Sequence, residues 1–163
     1  MGVSGSGKST LAEMLARALQ VDYVDADDLH PEANKVKMAG GTPLTDEDRW
    51  PWLRSVGEVL HTENAAGRSV VVACSALRRS YRDVLREKVD DAFLIHLHGD
   101  EELLAERLGM RKGHFMPVAL LASQLATLEP LAPDEAGLVV DIALQPEEAV
   151  ARVLAELGLV PAR

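Results

Sequence analysis

The sequence predicts a three-layer α/β fold, in which a parallel sheet carries helices on both of its faces. Segments typical of strands and of helices alternate along all 163 residues, and helical crossovers favour parallel strands. A glycine-rich loop near the start leads directly into an amphipathic helix. Residues 69–75, SVVVACS, are typical of a strand buried on both faces. We therefore expect one domain over residues 1–163, with ligand groups at the carboxyl edge of the sheet.

The other elements follow in a regular order. Residues 11–20 place apolar side chains on one helical face, and residues 21–27 are predicted to form a short strand that ends in carboxylates. Thr45 is a typical helix cap, and Gly67 is expected to end the helix that follows it. Further strands are predicted at 92–99 and 137–144, and further helices at 30–41, 78–89, 100–113, 117–131 and 146–158.

The strand that should lead into the glycine-rich loop is missing. Only Met1 precedes Gly2, and four strands are visible where such a sheet is expected to have five. The missing strand is central in folds of this kind, so its loss would split the core. We therefore expect the polypeptide to begin several apolar residues upstream, with Met1 as an internal residue.

Charge and cysteine content narrow the possible functions. A formal charge of −9 argues against nucleic-acid and anionic-membrane partners, which are bound through positive patches. The single cysteine, Cys74, excludes an internal disulfide and agrees with a reducing compartment. We interpret Cys74 as a small buried residue, because nothing near it in the sequence would activate a thiolate. No apolar run approaches a bilayer-spanning length, and we expect a cytoplasmic protein.

The chain opens with the pattern of a phosphate-binding loop, GxxxxGKS. Glycines let backbone amides turn towards phosphate oxygens without a Cβ in the way. Lys8 would supply a cation to the terminal phosphates, Ser9 a hydroxyl to Mg²⁺, and the following helix its positive end. A glycine turn that merely caps a helix is the alternative. The predicted ATP-binding residues here are Gly2, Ser4, Gly5, Ser6, Gly7, Lys8, Ser9 and Thr10.

Carboxylates follow the strand predicted at 21–27. Asp25 and Asp27 lie two residues apart, so their side chains share a face and can converge on the phosphate loop. One carboxylate could organise Mg²⁺, and another could orient or deprotonate an attacking hydroxyl. For Asp28 we favour a helix cap. Because the strand at 69–75 ends without an aspartate, we expect Asp25, together with Ser9, to hold the metal.

Five stretches, taken in order, resemble the gluconokinases of the small phosphate-loop type. They are GVSGSGKST, DADDLHPEANKVKMAGGTPLTDEDRWPWL, CSALRRSYRDVLR, RKGHFMP and SQLATLEPL, and they cover nearly the whole chain. The resemblance implies a shikimate-kinase-like fold, commonly a homodimer. It also implies that the protein uses ATP to phosphorylate the terminal C6 hydroxyl of D-gluconate, and it places an apolar strand before Gly2.

Gluconate carries a carboxylate and several hydroxyls, so its pocket needs a cation and short polar groups. Arg49 is the first candidate for the carboxylate, since a guanidinium binds it in a bidentate way. The alternative for Arg49 is a surface ion pair with Asp46 or Glu47. His30 is predicted to bind a sugar hydroxyl, with capping or packing as the alternative. Asp27 is predicted to contact the reacting hydroxyl, as the resemblance also suggests.

Polar residues also follow the strand at 69–75. Ser75 and Arg79 are predicted to face the substrate, and we rank Arg79 above Arg78. A solvated position at the start of a helix is the alternative for both arginines. Arg82 and Arg86 are four residues apart and are expected to form a row on the helix surface.

Residues 107–117 are predicted to form a mobile lid. Arg107 and Arg111 would lie on one helical face and close over the ATP phosphates. As negative charge spreads in the transition state, Arg111 would stabilise it, and the closed lid would exclude water. The resemblance alone places His114 at the substrate. Gln124 either reaches the substrate or is a polar position on a buried helix.

Two further sets of residues complete the predicted site. Gln145 and Pro146 follow the last strand, where loops of this kind line the adenine. His96 and His98 are interpreted as core or edge residues rather than metal ligands, because no third ligand has a suitable spacing.

Three other functions remain open. A shikimate-type or adenylylsulfate-type kinase would share the fold and the phosphate loop. A nucleotide-binding regulatory module would be expected to have lost Lys8, Asp27 or the lid, and all three are intact. The third alternative is an inactive module that is truncated at its N-terminus.

Overall fold

The computed structural model describes residues 1–110 and 118–159. Strands and helices alternate as predicted, and a short 3₁₀ helix that the sequence analysis missed follows the first strand. In chain order the elements are α1 (Lys8–Leu19), β1 (Asp22–Asp25), the 3₁₀ helix (Ala26–Leu29), α2 (Glu32–Ala39), α3 (Asp46–Ala65), β2 (Val70–Ala73), α4 (Arg79–Arg86), β3 (Leu94–His98), α5 (Glu101–Met110), α6 (Val118–Thr127), β4 (Gly137–Asp141) and α7 (Pro146–Glu156).

The four strands form two parallel pairs rather than one continuous sheet. In the first pair, β1 lies beside β2, with Asp25 opposite Ala73. In the second pair, β3 lies beside β4, with His98 opposite Asp141. Parallel neighbours joined by helical crossovers are what the alternation of elements predicted. The carboxyl end of β1 leads into Asp27 and that of β2 into Ser75, both of the candidate site.

Met1 and Gly2 lie between the two pairs. The Met1 amine donates a hydrogen bond to Ile95 O of β3, and Leu97 N–H donates to Met1 O at 2.9 Å. Gly2 N–H donates to Ser75 O, just beyond β2, at 3.2 Å. The strand expected upstream of Gly2 would consist of residues outside this chain, so it stays a prediction.

A cavity of about 360 Å³ lies between β2 and β3. Apolar side chains of both strands and of α1, α3 and α7 line most of it. Val70, Val71 and Val72 are half-buried against this cavity, and in β2 only Ala73 is buried. The three valines are therefore less buried than the sequence predicted, because they border this cavity rather than a packed neighbour.

The core consists of two hydrophobic clusters. The first joins α1 and α7 to β3 and β4, with Leu15, Leu97 and Val153 almost fully buried. The second lies under α3 and α4, around Trp52 and Leu53. The helix α1 also contacts β1 and β2, so the first cluster extends to both strand pairs. Among the helices of the described ranges, none is both long and apolar enough to cross a membrane.

Arg82 of α4 is fully buried, so the prediction that it lies on the surface is wrong. Its guanidinium donates to both carboxylate oxygens of Glu135, at 2.6 and 2.8 Å, and both side chains have 0% exposure. The same guanidinium also donates to backbone carbonyls in two loops, those of Ala76, Leu77, Glu129 and Pro130. Arg82 therefore ties the segment after β2 to the segment before β4.

Candidate active site

The phosphate loop requires glycine for two different physical reasons. Gly5 and Gly7 have φ values of +82° and +86°, in the left-handed region that other residues rarely adopt. A Cβ on Gly2 would lie 2.7 Å from Leu97 O of β3, so this position needs glycine for close approach. A Cβ on Gly7 would meet nothing within 4 Å, so the loop opens onto free space at that point.

The N-terminus of α1 is arranged to receive an anion. Its N-cap residue is Gly7, which offers no side chain to the first-turn N–H groups. Those groups and the helix dipole therefore present positive charge at the loop. Lys8 Nζ donates to Val3 O at 3.0 Å, which holds the ammonium against the loop. Ser6 Oγ is buried without a hydrogen-bond partner among the described residues. A chain of phosphates fits this combination of groups.

Ser9 and Asp25 are brought together as predicted. Ser9 Oγ donates to Asp25 Oδ2 at 3.1 Å, and the Tyr23 hydroxyl donates to the same oxygen at 3.0 Å. The other carboxylate oxygen accepts from Asp27 N–H at 3.0 Å. Hydroxyl and carboxylate oxygens suit Mg²⁺, which is usually completed by substrate phosphates and water. The described residues contain no cluster of three or more His, Cys, Asp or Glu that could hold a metal unaided.

Asp27 lies within electrostatic reach of the phosphate loop. Desolvation raises the pKa of its carboxyl group, the negative charge of Asp25 raises it further, and the Lys8 ammonium lowers it. The side chain nevertheless keeps an exposed edge, so a ligand can reach it. Asp28 does not cap the next helix, because α2 begins after Pro31 without a side-chain cap. A carboxylate near Lys8 with a raised pKa is a candidate acceptor for a proton.

A second cavity, of about 280 Å³, lies beside the phosphate loop. Gly5, Gly7, Arg107 and Pro146 contribute to its walls, together with the segment that follows β4. Arg107 Nη2 donates to Ile142 O at 2.6 Å and thereby closes one side. Its position next to the loop suits a nucleotide base.

Gln145 is the N-cap residue of α7, next to Pro146 in the cavity wall. Its N–H donates to the Glu148 carboxylate at 3.1 Å, as in a helix N-terminal capping interaction. Gln145 is thus involved in starting the helix, and its predicted contact with adenine stays a prediction.

His30 packs inside the protein. Its ring stacks on Trp52 with centroids 4.1 Å apart, and its Nδ1 lies 3.3 Å from Asn34 Nδ2. Trp52 in turn donates from Nε1 to Ala26 O at 2.6 Å. Burial, with Lys35 and Arg49 as weaker causes, lowers the pKa of His30 to about 4. The geometry favours the packing alternative, and binding of a sugar hydroxyl stays a prediction.

Arg49 and Arg78 converge on Tyr81 and Asp46, and we call these four residues the arginine corner. Each guanidinium carbon lies over the Tyr81 ring, 5.6 Å from its centroid for Arg49 and 5.7 Å for Arg78. Arg78 Nη1 donates to Asp46 Oδ2 at 2.9 Å, and the Tyr81 hydroxyl donates to the other oxygen. Arg49 Nη1 lies 3.7 Å from Asp46 Oδ1. The ion pair that we considered for Arg49 is therefore present.

Arg79 points away from this corner. Its guanidinium makes two hydrogen bonds of 2.9 Å to Asp134 and one of 2.8 Å to Asp83. The backbone N–H of Arg79 also donates to the Glu129 carboxylate. Two carboxylates thus already neutralise the cation that we ranked first. Its contact with substrate stays a prediction, and the geometry favours Arg78.

Gln124 and Ser75 both contact the phosphate loop. Gln124 Oε1 accepts a hydrogen bond from Ser4 N–H at 2.7 Å, and Ser75 O accepts from Gly2 N–H. These contacts hold the loop from α6 on one side and from the end of β2 on the other. Substrate contacts of Gln124 and Ser75 stay predictions, as does the lid. Arg111 and His114 lie outside the described residues.

The interpretations of Cys74 and His96 as core residues are confirmed. Cys74 is buried, and burial raises the pKa of its thiol to about 12, so it is no nucleophile. His96 is 3% exposed, and burial lowers its pKa to about 4. Neither ring nitrogen of His96 has a hydrogen-bond partner among the described residues. Its ring meets that of His98 edge to face, with centroids 5.7 Å apart.

Two tyrosines of the site, Tyr23 and Tyr81, were not predicted from the sequence. Tyr23 lies two residues before Asp25 on β1, so strand alternation was enough to place it on the same face. Tyr81 lies three residues after Arg78, which on a helix marks a neighbour. Its pairing with Asp46 spans 35 residues and had no local signal.

Comparison with known proteins agrees with this architecture. A family model described as an AAA domain matches residues 1–131. A probable gluconokinase of Xenopus tropicalis is 47% identical over 157 residues, which cover 87% of this chain and 83% of that protein. An unliganded sugar kinase from Janibacter sp. HTCC2649 superposes with a TM-score of 0.93 at 49% identity, covering 99% of this chain and 93% of that one. A gluconokinase from Sinorhizobium meliloti 1021 gives a TM-score of 0.85 at 46% identity, covering 97% and 93%.

Phosphate-loop kinases are the class of proteins that this combination of parallel strands and loop defines. Within that class, the extent and level of identity to named relatives specify the family. The chain belongs to the gluconokinase family.

Proposed function

We propose that this chain transfers the γ-phosphoryl group of ATP to the C6 hydroxyl of D-gluconate, giving 6-phosphogluconate and ADP. The observation that carries the proposal is that the uncapped N-terminus of α1 and Lys8 lie near the Asp27 carboxylate, at one edge of the strands. This pairing puts a phosphate cradle and a group that can orient a hydroxyl within electrostatic reach of each other. Relatives at 41–49% identity bear the name gluconokinase.

The nucleotide is bound mainly by backbone groups. The first-turn amides of α1 and the loop amides contact the phosphates, and Lys8 neutralises charge on the terminal ones. The cavity beside Arg107 and Pro146 receives the base. Phosphoryl transfer leaves little covalent chemistry to the protein, so these residues act by positioning and by stabilising charge.

Ser9 and Asp25 would hold Mg²⁺. When bound, the ion would neutralise charge on the phosphates and help to align them. In the structure, the Ser9 hydroxyl donates a hydrogen bond to Asp25, and it can rotate to offer a lone pair instead. Tyr23 and the Asp27 amide keep the Asp25 carboxylate oriented in the meantime.

Asp27 would orient the C6 hydroxyl towards the phosphoryl group and accept its proton as the bond to phosphorus forms. The Lys8 ammonium lies close enough to lower the pKa of the Asp27 carboxyl group. Arg111, on the predicted lid, would stabilise the transferred group, and closure of the lid would exclude water. The homodimer and the cytoplasmic location also stay predictions.

An acceptor screen tests the proposed function. ADP release from Mg-ATP would be measured with gluconate, shikimate, adenylylsulfate or no acceptor, and the product would be identified by mass and by NMR of the C6 position. We expect turnover with gluconate alone. Turnover with shikimate or adenylylsulfate would favour the other kinase class. ADP release that does not depend on any acceptor would contradict the proposal.

A further inference from the structure

We infer that Arg78, together with Arg49, binds the carboxylate of the acceptor, and that the arginine corner is where the substrate is recognised as an acid. The inference rests on the proposed function, because it assigns the far end of the same acceptor. It reverses the ranking of Arg79 above Arg78 that the sequence favoured.

The charges of the arginine corner leave a place for one anion. Among the described residues, the ion pairs of these two guanidinium groups involve only the Asp46 carboxylate, so within that part of the chain two positive charges share one negative charge. The nearby Asp48 carboxylate is already bound by Lys37 at 2.7 and 2.8 Å. In a chain with a formal charge of −9, a local excess of positive charge attracts a small anion specifically.

The donors of the corner are accessible and only partly used. The side chains of Arg49 and Arg78 are 27% and 40% exposed, so solvent reaches both guanidinium groups. Arg78 uses Nη1 on Asp46, and Arg49 uses Nη1 on Tyr81 and Asp46. A guanidinium has five N–H donors, which leaves donors on both residues for a second carboxylate. The Tyr81 ring stacks against both cations and keeps them in place.

The corner lies at a suitable end of the site. The charge of Arg49 lies close enough to His30 to lower its pKa, and the backbone N–H of His30 donates to Asp27 O at 3.3 Å. Arg78 follows Ser75 by three residues, and Ser75 O is bound to Gly2 of the phosphate loop. The corner is thus connected to Asp27 on one side and to the phosphate loop on the other. A six-carbon acid with its hydroxyl at Asp27 can direct its carboxylate towards the two arginines.

The experiment compares a charged acceptor with an uncharged one of the same shape. Steady-state kcat/KM would be measured for D-gluconate and for D-gluconamide, in the wild type and in Arg78→Gln. We expect kcat/KM for gluconate to fall about 10- to 100-fold, the loss of one charge-assisted contact. For gluconamide, and for the KM of Mg-ATP, we expect less than about threefold change, since neither depends on an acceptor carboxylate.

Arg79→Gln is the matched control, because it removes the neighbouring guanidinium that Asp83 and Asp134 already bind. It should leave both acceptors within about threefold of the wild type. Arg78→Lys keeps the charge without the planar fork, and we expect it to recover part of the activity on gluconate. Thermal melting would establish that each variant is folded. If Arg78→Gln is not folded, the kinetics of Arg78→Lys with the two acceptors provide the test instead.

The outcomes separate this inference from the proposed function. If Arg78→Gln uses gluconate as well as the wild type does, the inference is wrong and the function stands. The same holds if Arg78→Gln loses activity on gluconate and on gluconamide equally. A larger loss in Arg79→Gln than in Arg78→Gln would also overturn it. A wild type without gluconate-dependent turnover would contradict the proposed function itself.

Discussion

The phosphate loop and the arginine corner bind opposite ends of one reaction but are built in opposite ways. The loop consists of nine consecutive residues, 2–10, and it works through backbone amides, glycine conformations and one lysine. The corner consists of side chains from two helices, and Asp46 and Tyr81 alone are 35 residues apart. Residues that are consecutive in the sequence therefore form the phosphate-donor side of the site, whereas tertiary packing brings together the residues of the acceptor side. Predictions about each side should differ in the same way.

The largest expected effect concerns the buried ion pair that supports the acceptor side. Arg82→Ala would leave the Glu135 carboxylate buried without its partner, which costs about 3–5 kcal/mol of unfolding free energy. Chemical denaturation at pH 7 would measure it. Arg79→Ala, which removes an exposed and solvent-screened pairing nearby, should cost much less. The double variant Arg82→Met, Glu135→Leu should recover only part of the loss, because it removes the unpaired charge but leaves the loop carbonyls without their donor. Equal losses in Arg82→Ala and Arg79→Ala would contradict the prediction.

The next effect concerns the donor side. Lys8→Ala should lower kcat about 10²- to 10³-fold, because a preorganised cation on the terminal phosphates is lost. A coupled assay for ADP measures this at saturating gluconate. Arg17→Ala is the control on the same helix, since Arg17 is exposed and pairs only weakly with Glu13. Retention of a tenth of the wild-type kcat in Lys8→Ala would show that the ammonium does not act on the transferred group.

Asp27 links the two sides, and its effect should be somewhat smaller. Asp27→Asn should lower kcat about 10²-fold while nucleotide affinity changes little. Burial raises the pKa of Asp27, so its carboxylate protonates at a higher pH than an ordinary aspartate does. The activity of the wild type should accordingly fall with decreasing pH above the usual aspartate range.

The pH dependence of kcat/KM for gluconate measures this effect. Asp90→Asn serves as the control, because Asp90 is exposed and is not among the charges that shift the pKa of Asp27. An unchanged acid limb in Asp27→Asn would mean that another group titrates there.

The smallest expected effect is a loss of stability in acid. Burial lowers the pKa of His30 and of His96 to about 4, whereas an unfolded histidine titrates near 6.5. Between these values the unfolded chain binds more protons, so stability is fully present above about pH 6.5 and falls as the pH drops towards 4. Each histidine would contribute about 1–3 kcal/mol by pH 4.

Denaturant titrations from pH 7 to 4 would measure this loss. His96→Leu should flatten the curve, and His61→Gln, at an exposed position on α3, should not. An equally steep curve in His96→Leu would exclude His96 as a cause.

These differences explain how much the sequence alone could predict. Helices and strands follow from local periodicity, and the loop motif fixes residue types at fixed spacings, so both were predictable. The burial of Arg82 was not, because its partner Glu135 is 53 residues away and an arginine on an amphipathic helix usually faces solvent. Arg78 and Arg79 are likewise indistinguishable in sequence. Only the positions of Asp46, Asp83 and Asp134 show which guanidinium has donors available.

The contacts of Arg82 also restrict how this chain can vary in length. One guanidinium holds carbonyls in two separate loops and a carboxylate in the second of them. Inserting or deleting a residue between Glu129 and Glu135 would move the Glu135 carboxylate away from Arg82. Both charges would then be buried without a partner. Surface loops normally tolerate such changes. Here, however, the spacing of six residues is fixed by the buried ion pair between Arg82 and Glu135.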